Sequence, residues 1–257
     1  MSSFAEYQAI DALNWSSLKF YAKSPAHYKE NVDNPQEQTA AMLLGSAVHC
    51  LCLEPALFDQ QYAVAPDVDR RTKAGKEQWA SFEDEHQGKS ILTFEQSTLA
   101  RGMAASVLDG KAGKLISLCS ERELTLTWED QFTGMQCKSR LDAVDLVNGL
   151  AVDIKTTEDA SQQSFSRTVY NYLYHGQAAF YLEALRQNGF MINRFIFLAV
   201  EKKPPFAKAL YLCSDELLAS GRILYQECLS KHAECLAVNE WPGYPETIHT
   251  IDLPAWA

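Results

Sequence analysis

The stretch Arg140-Leu141-Asp142-Ala143-Val144-Asp145-Leu146-Val147-Asn148-Gly149-Leu150-Ala151-Val152-Asp153-Ile154-Lys155 decides the fold. Asn-Gly between two apolar runs is the strongest short hairpin signal, because both residues tolerate the positive φ that a tight two-residue turn demands. A strand from about Met135 to Val147 is expected to turn at Asn148-Gly149 and return as Leu150 to Thr156. In that register Val147 pairs with Leu150, Asp142 lies opposite Lys155, and Asp153 lies opposite Val144. Side chains alternate along a strand, so Asp142, Val144, Asp153 and Lys155 share one face, while Val152 and Ile154 point into the core. Asp145, opposite Val152, falls on the other face.

Upstream of the hairpin, Leu124, Leu126 and Trp128 alternate with Glu123, Thr125 and Thr127, which reads as a further strand. Downstream, helical periodicity over about Ala160–Tyr172 and Tyr174–Asn188, with Gly189 as C-cap, precedes strands near Arg194–Glu201 and Ala207–Cys213. A long helix over about Ser214–Val238 and a Pro-rich tail close the chain. The first part is mostly helical: Ser16–Lys23 stopped by Pro25, Thr39–Leu53 stopped by Pro55, then Lys73–His86 and Phe94–Leu108. The polar stretches 31–38 and 67–75 read as loops. The expected architecture is α/β, a central mixed sheet flanked by helices. At 257 residues and 47% hydrophobic content, one domain is expected, its helical part (about 1–115) packed on a core of about 116–240.

No apolar run approaches the roughly 18 to 20 residues of a membrane span, and the opening Met1 to Glu6 lacks the regions of a signal peptide. A soluble cytoplasmic protein is expected. The net charge of −10 argues against a protein that coats nucleic acid, since that affinity comes from neutralising phosphates with Lys and Arg. Any nucleic-acid substrate would need local positive charge, supplied in part by bound metal. Arg70, Arg71, Lys73 and Lys76, with Arg140, are the candidates to grip phosphate.

Two carboxylates and a lysine on one strand pair suit phosphodiester hydrolysis. Mg²⁺ is typically held by one or two carboxylates plus water and substrate, here Asp142 and Asp153, with the Ile154 carbonyl completing the shell. Lys155 can donate to the attacking water or to charge developing on phosphorus. From the hairpin alone, a cross-strand ion pair of Asp142 with Lys155, worth about 0–1 kcal/mol if exposed, accounts for these residues at least as well.

Val152-Asp153-Ile154-Lys155-Thr156-Thr157, with Asp142 eleven residues before Asp153, resembles the core of PD-(D/E)XK nucleases. Gly45-Ser46-Ala47-Val48-His49 and the run Gln177-Ala178-Ala179-Phe180-Tyr181 resemble further elements of the RecB-like branch, in the same order along the chain. Leu18 to Tyr28, Gly45 to Pro55 and Asp69 to Lys76 are more specifically similar to the exodeoxyribonuclease VIII (RecE) family, over most of residues 15–215. That resemblance implies a restriction-endonuclease-like core and an exonuclease dependent on Mg²⁺ or, in substitution, Mn²⁺. It would resect linear double-stranded DNA 5′ to 3′ and leave a 3′ overhang. It also implies phage-type recombination, a single-strand annealing partner and a homo-oligomeric ring.

The resemblance makes His49 a metal ligand; alone on an apolar helix it reads as a hydrogen-bonded core residue. Gly45, four residues away, is expected to leave room beside the imidazole. Gln177 and Tyr181, also four apart with Tyr174 extending the stripe, are either core packing or groups that contact phosphate and order Lys155. Glu123 is a candidate to support a second metal, its facing left open by the loop between the strands. Two alternatives stand beside the exonuclease. One is a single-strand nuclease with an iron–sulfur cluster drawn from Cys50 or Cys52 with Cys213, Cys228 and Cys235, although the odd count of seven and the absence of a CxxC pair favour reduced thiols. The other is a catalytically silent DNA-binding or assembly module.

Overall fold

The structure is a computed structural model that describes residues 4–248 and 250–253. Met1 to Ser3 and the last residues of the Pro-rich tail lie outside the described residues. A five-stranded mixed sheet runs through the middle in the order β3 (Glu121–Glu129), β4 (Gln136–Asp145), β5 (Leu150–Thr157), β6 (Arg194–Glu201) and β7 (Lys208–Leu212). Only β5 and β6 are parallel, joined through helices α9 (Gln162–Asn171) and α10 (Tyr174–Gln187); the other neighbours are antiparallel. The expected mixed sheet flanked by helices is present.

Helices cover both faces. On one, α4 (Ala40–Leu53), α7 (Phe94–Leu108) and α8 (Gly110–Leu118) bury Val48, Met103, Val107 and Ile116 against Ala143, Val152, Ile154 and Leu198. On the other, α10 and α11 (Asp215–Val238) pack Phe180, Leu185, Tyr225 and Leu229 over Ala151, Phe195 and Phe197. The short N-terminal helices α1 (Phe4–Ala9), α2 (Trp15–Leu18) and α3 (Pro25–Asp33) precede α4. Trp15, Leu18, Tyr21 and Tyr28 join the α10–α11 layer. The helices before the sheet are thus divided between its two faces.

Three local readings change. Pro25, read as a stop, also opens α3: Ser24 accepts from the His27 N–H as N-cap, and proline at the first helical position forfeits only an N–H that has no partner there anyway. Helix α8 was not expected. A short α5 (Phe58–Gln61) leads into β1 (Tyr62–Val64), which pairs in parallel with β2 (Ser90–Leu92) around α6 (Lys73–Glu85) and so anchors both ends of that excursion. Gly176 lets α10 approach α2, because a Cβ there would stand 2.2 Å from the Trp15 indole.

The hairpin register is two residues away from the expected one. Asp145, not Val147, pairs with Leu150, and residues 146–149 form a wider turn. The Asp145 carboxylate explains this: it accepts from the backbone N–H of Val147 (3.0 Å) and Asn148 (2.9 Å) and from the Asn148 amide (2.7 Å), closing a turn of its own in place of two ladder bonds. A shift of two preserves alternation, so Asp153 and Lys155 still share a face, aligned with Phe197 and Ala199 of β6.

Candidate active site

Asp142 stands where the sheet comes apart. Its ladder with β5 ends at Ala143↔Val152, and its ladder with β3 passes from Arg122↔Ala143 to Leu124↔Leu141 without a pair for Glu123 and Asp142. Glu123 has φ +49°, a left-handed conformation uncommon outside glycine and typical of functional positions. Leu141 and Val144 pack in one core layer and Ala143 in the other, so alternation breaks at Asp142. The expected common face holds for Val144, Asp153 and Lys155, and Asp142 sits at the interruption, close enough to feel the charges of Asp153 and Lys155. Its carboxylate accepts from the Ile154 N–H at 2.7 Å.

His49 reaches this break from α4. Its Nε2 lies 2.8 Å from the Ile154 carbonyl and its Nδ1 3.3 Å from Asp142 Oδ2. As an imidazolium it donates to the carbonyl and forms an ion pair with the carboxylate. Burial opposes that charge, but the carboxylates around it, Asp142 first and then Asp153 and Glu123, together outweigh burial and raise the His49 pKa to about 9. Asp142 moves the opposite way: burial pushes it up, His49 and the Ile154 N–H pull it down, and the net shift is downward. Glu123 is pushed up by burial and by Asp142, in spite of its pair with Arg140.

One donor atom from each of His49, Glu123 and Asp142 falls within 4.8 Å of the others, the one such convergence among the described residues. Asp153, expected as a ligand, is not in that group. It is 2% exposed, and its Oδ2 lies 2.5 Å from Lys155 Nζ without the angles of a hydrogen bond. Burial, with Asp142 adding to it, raises the Asp153 pKa to about 6 against the pull of Lys155. Burial opposes the Lys155 charge, yet Asp153, with Tyr174 and Asp142 adding to it, raises that pKa. A buried carboxylate oxygen lacking a hydrogen bond, beside two carboxylates and an imidazole, fits a hard divalent cation that accepts oxygen ligands and one nitrogen.

The remaining candidates fall out differently. The Ile154 carbonyl faces His49. Gln177 Nε2 donates to the Tyr181 hydroxyl at 3.1 Å, but Lys155 is ordered by Asp153 and by the Tyr174 ring, 4.5 Å from its Nζ, rather than by that pair. A Cβ at Gly45 would meet only Thr156 at 3.7 Å, so the glycine is not what makes room for His49. Arg140, expected to grip phosphate, is buried with its Nε 2.5 Å from Glu123 and its Nη2 3.4 Å from Glu54. Its charge holds the acidic cluster together. Arg70 stacks on Trp79 (4.0 Å), while Arg71 and Lys73 are exposed beside Asp69 and Glu77. Cys50 and Cys52 lie in the α4 layer and Cys213, Cys228 and Cys235 in the α11 layer, with the sheet between them, so the cluster drawn from both sets does not assemble.

Sequence reasoning missed Glu54 and Lys19. Burial, and after it the charge of Lys155, lower the Lys19 pKa, so a second cation stands near Lys155. Neither has a periodic or motif signal.

A mixed sheet opening at one strand pair, with Asp153 and Lys155 on one strand and acidic and histidine donors around the opening, defines the PD-(D/E)XK class. Within it, the chain belongs to the family described as PDDEXK-like domain of unknown function (DUF3799), whose model matches residues 14–254. No curated protein matches the sequence. Among solved structures, a "Putative exonuclease" from Eubacterium rectale is similar with a TM-score of 0.67 at 15% identity, covering 99% of this chain and 96% of that one. At that identity the likeness speaks for the fold alone. SSO0001 aligns over 73% of this chain and 84% of its own at 17% identity, with a TM-score of 0.31, and carries no argument.

The charge states give a test without substrate. His49, raised from 6.5 to about 9, contributes stability that is full below pH 6.5 and lost as pH rises through 9. Asp153, raised from 3.8 to about 6, has already lost its contribution above pH 6. In EDTA the protein is expected to melt at a lower temperature at about pH 8.5 than at pH 6.5, and His49→Gln to flatten that slope. A cation ligated by His49 would displace its proton, so Mg²⁺ or Mn²⁺ is expected to stabilise more at the higher pH. A melting temperature independent of pH and of metal would contradict this account.

Proposed function

We propose that this protein is a divalent-metal-dependent exodeoxyribonuclease of the cytoplasm, degrading linear double-stranded DNA with Mg²⁺, or Mn²⁺ in its place. The observation that carries the reading is the convergence of His49, Glu123 and Asp142 beside the Asp153–Lys155 pair, on a fold whose family is PDDEXK-like. A bound divalent cation would supply Lewis acidity and an activated water. Asp142, fixed by the Ile154 N–H, together with Glu123, Asp153 and His49 would hold it. Lys155 donates a proton-bearing Nζ to a phosphate oxygen, held on line by Asp153 and the Tyr174 ring. Tyr181 accepts from Gln177, which leaves its own O–H to donate toward substrate. Arg70, Arg71 and Lys73, exposed around the start of α6, supply local positive charge on a chain of net charge −10.

Cutting 5′ to 3′ to leave a 3′ overhang, a role in phage-type recombination, a single-strand annealing partner and a ring of identical subunits belong to the proposal through the resemblance to the RecE family. The test is digestion of linear and covalently closed duplexes with Mg²⁺ and with EDTA. Loss of the linear form alone, abolished by EDTA, is the expected result. Cutting of closed circles would make the enzyme an endonuclease, and inertness toward both with either metal would point to a silent binding module.

A further inference from the structure

Lys155 opens onto an aromatic path to the surface. The Tyr174 ring lies 4.5 Å from its Nζ, and the Tyr172 ring stacks on Tyr174 with centroids 5.7 Å apart and planes 21° from parallel. Side chains two apart on a helix point away from each other. These meet because Leu173 between them takes φ +58°, a left-handed conformation costly for a residue with a Cβ, at the joint of α9 and α10. The strain brings two rings together, yet buries little: Tyr172 remains 59% exposed, and Tyr170, stacked near-parallel on His175, 73%. Core packing does not account for tyrosines that stay in water at a strained joint beside a catalytic lysine.

We infer that Tyr172 is a stacking platform for an unpaired nucleobase at the DNA end whose phosphate is bound at Lys155. The inference rests on the nuclease reading and adds to it a positioning residue and a preference for frayed ends. Tyrosine offers a flat π-face that any base can cover, so the platform would be indifferent to sequence. Its place follows from the path: a base lies one sugar away from its own phosphate, and Tyr172 lies one ring, that of Tyr174, away from Lys155.

The test uses the full chain and a duplex with one frayed end carrying 2-aminopurine at its terminal unpaired position, with Ca²⁺ replacing Mg²⁺. Binding is followed by anisotropy and stacking by quenching of the 2-aminopurine. The parental protein and Tyr172→Phe are expected to quench. Tyr172→Ala should not, and should bind the frayed end about 5- to 150-fold more weakly, the range expected for one lost aromatic–base stack. Its melting temperature and circular dichroism spectrum should be unchanged, which separates stacking from a folding defect. Equal quenching and affinity in Tyr172→Ala would overturn the platform. Binding by the parental protein without quenching would overturn it too while leaving the nuclease reading intact. Absence of both binding and cleavage of any DNA would overturn the nuclease reading, and the platform with it.

Discussion

Asp153→Asn is expected to lower the rate of DNA hydrolysis by at least about 10³-fold, equivalent to about 4 kcal/mol of lost transition-state stabilisation. The substitution keeps the shape of the side chain and removes its charge at a buried position. Two functions go with the charge. Lys155 loses the carboxylate 2.5 Å from its Nζ, so its ammonium is no longer aimed, and a cation at His49, Glu123 and Asp142 would lose the negative charge of the fourth group proposed to hold it. The fold should persist, because β5 keeps its ladder to β6 and Val152 and Ile154 keep their places in the core. Circular dichroism, DNA binding and single-turnover cleavage measured together check this. Parental cleavage by a folded variant would remove Asp153 from the catalytic centre.

Arg140→Ala should destabilise the protein by about 3–5 kcal/mol, the usual consequence of leaving one partner of a buried ion pair without the other. In a chain of this size that lowers the melting temperature by roughly 10 °C. Glu123 and Glu54 would both lose the guanidinium between them. Glu123, already pushed up by burial and by Asp142, would then hold a proton more tightly and ligate metal less well. Arg140→Lys should recover little, since an ammonium cannot reach both carboxylates as a guanidinium fork does. A residue that gripped phosphate would behave otherwise: its loss would leave stability intact and reduce the salt dependence of DNA binding by about one phosphate contact. Denaturant unfolding and a salt titration of DNA binding separate the two roles.

Arg140 shows where reading the chain stops being informative. Beside Asp142 on a strand, a basic residue has the same local signature whether it faces solvent or a carboxylate, and the difference is made by Glu54, eighty-six positions earlier. Glu123 is similar. Its strand was legible, but its convergence on His49 and Asp142 depends on a left-handed φ and an interrupted ladder that no periodicity encodes. The hairpin was read through its Asn-Gly signal at the wrong width, because the Asp145 carboxylate competes for the turn's N–H groups.

What survived that error is what period alone governs. A register shift of two leaves alternation unchanged, so Asp153 and Lys155 on one face of β5, with Val152 and Ile154 on the other, were determined by the sequence itself. The hydrogen bond between Gln177 and Tyr181 was set in the same way by helical spacing, and the mixed sheet by the order of strand and helix periods. Only the tertiary structure decided that α4 brings His49 to the opening, that Glu123 rather than Asp153 completes the converging donors, and that the sheet divides the cysteines. Those outcomes join residues far apart in the chain through the packing of two helical layers, and local backbone geometry, which repeats every two or 3.6 residues, carries no information about them.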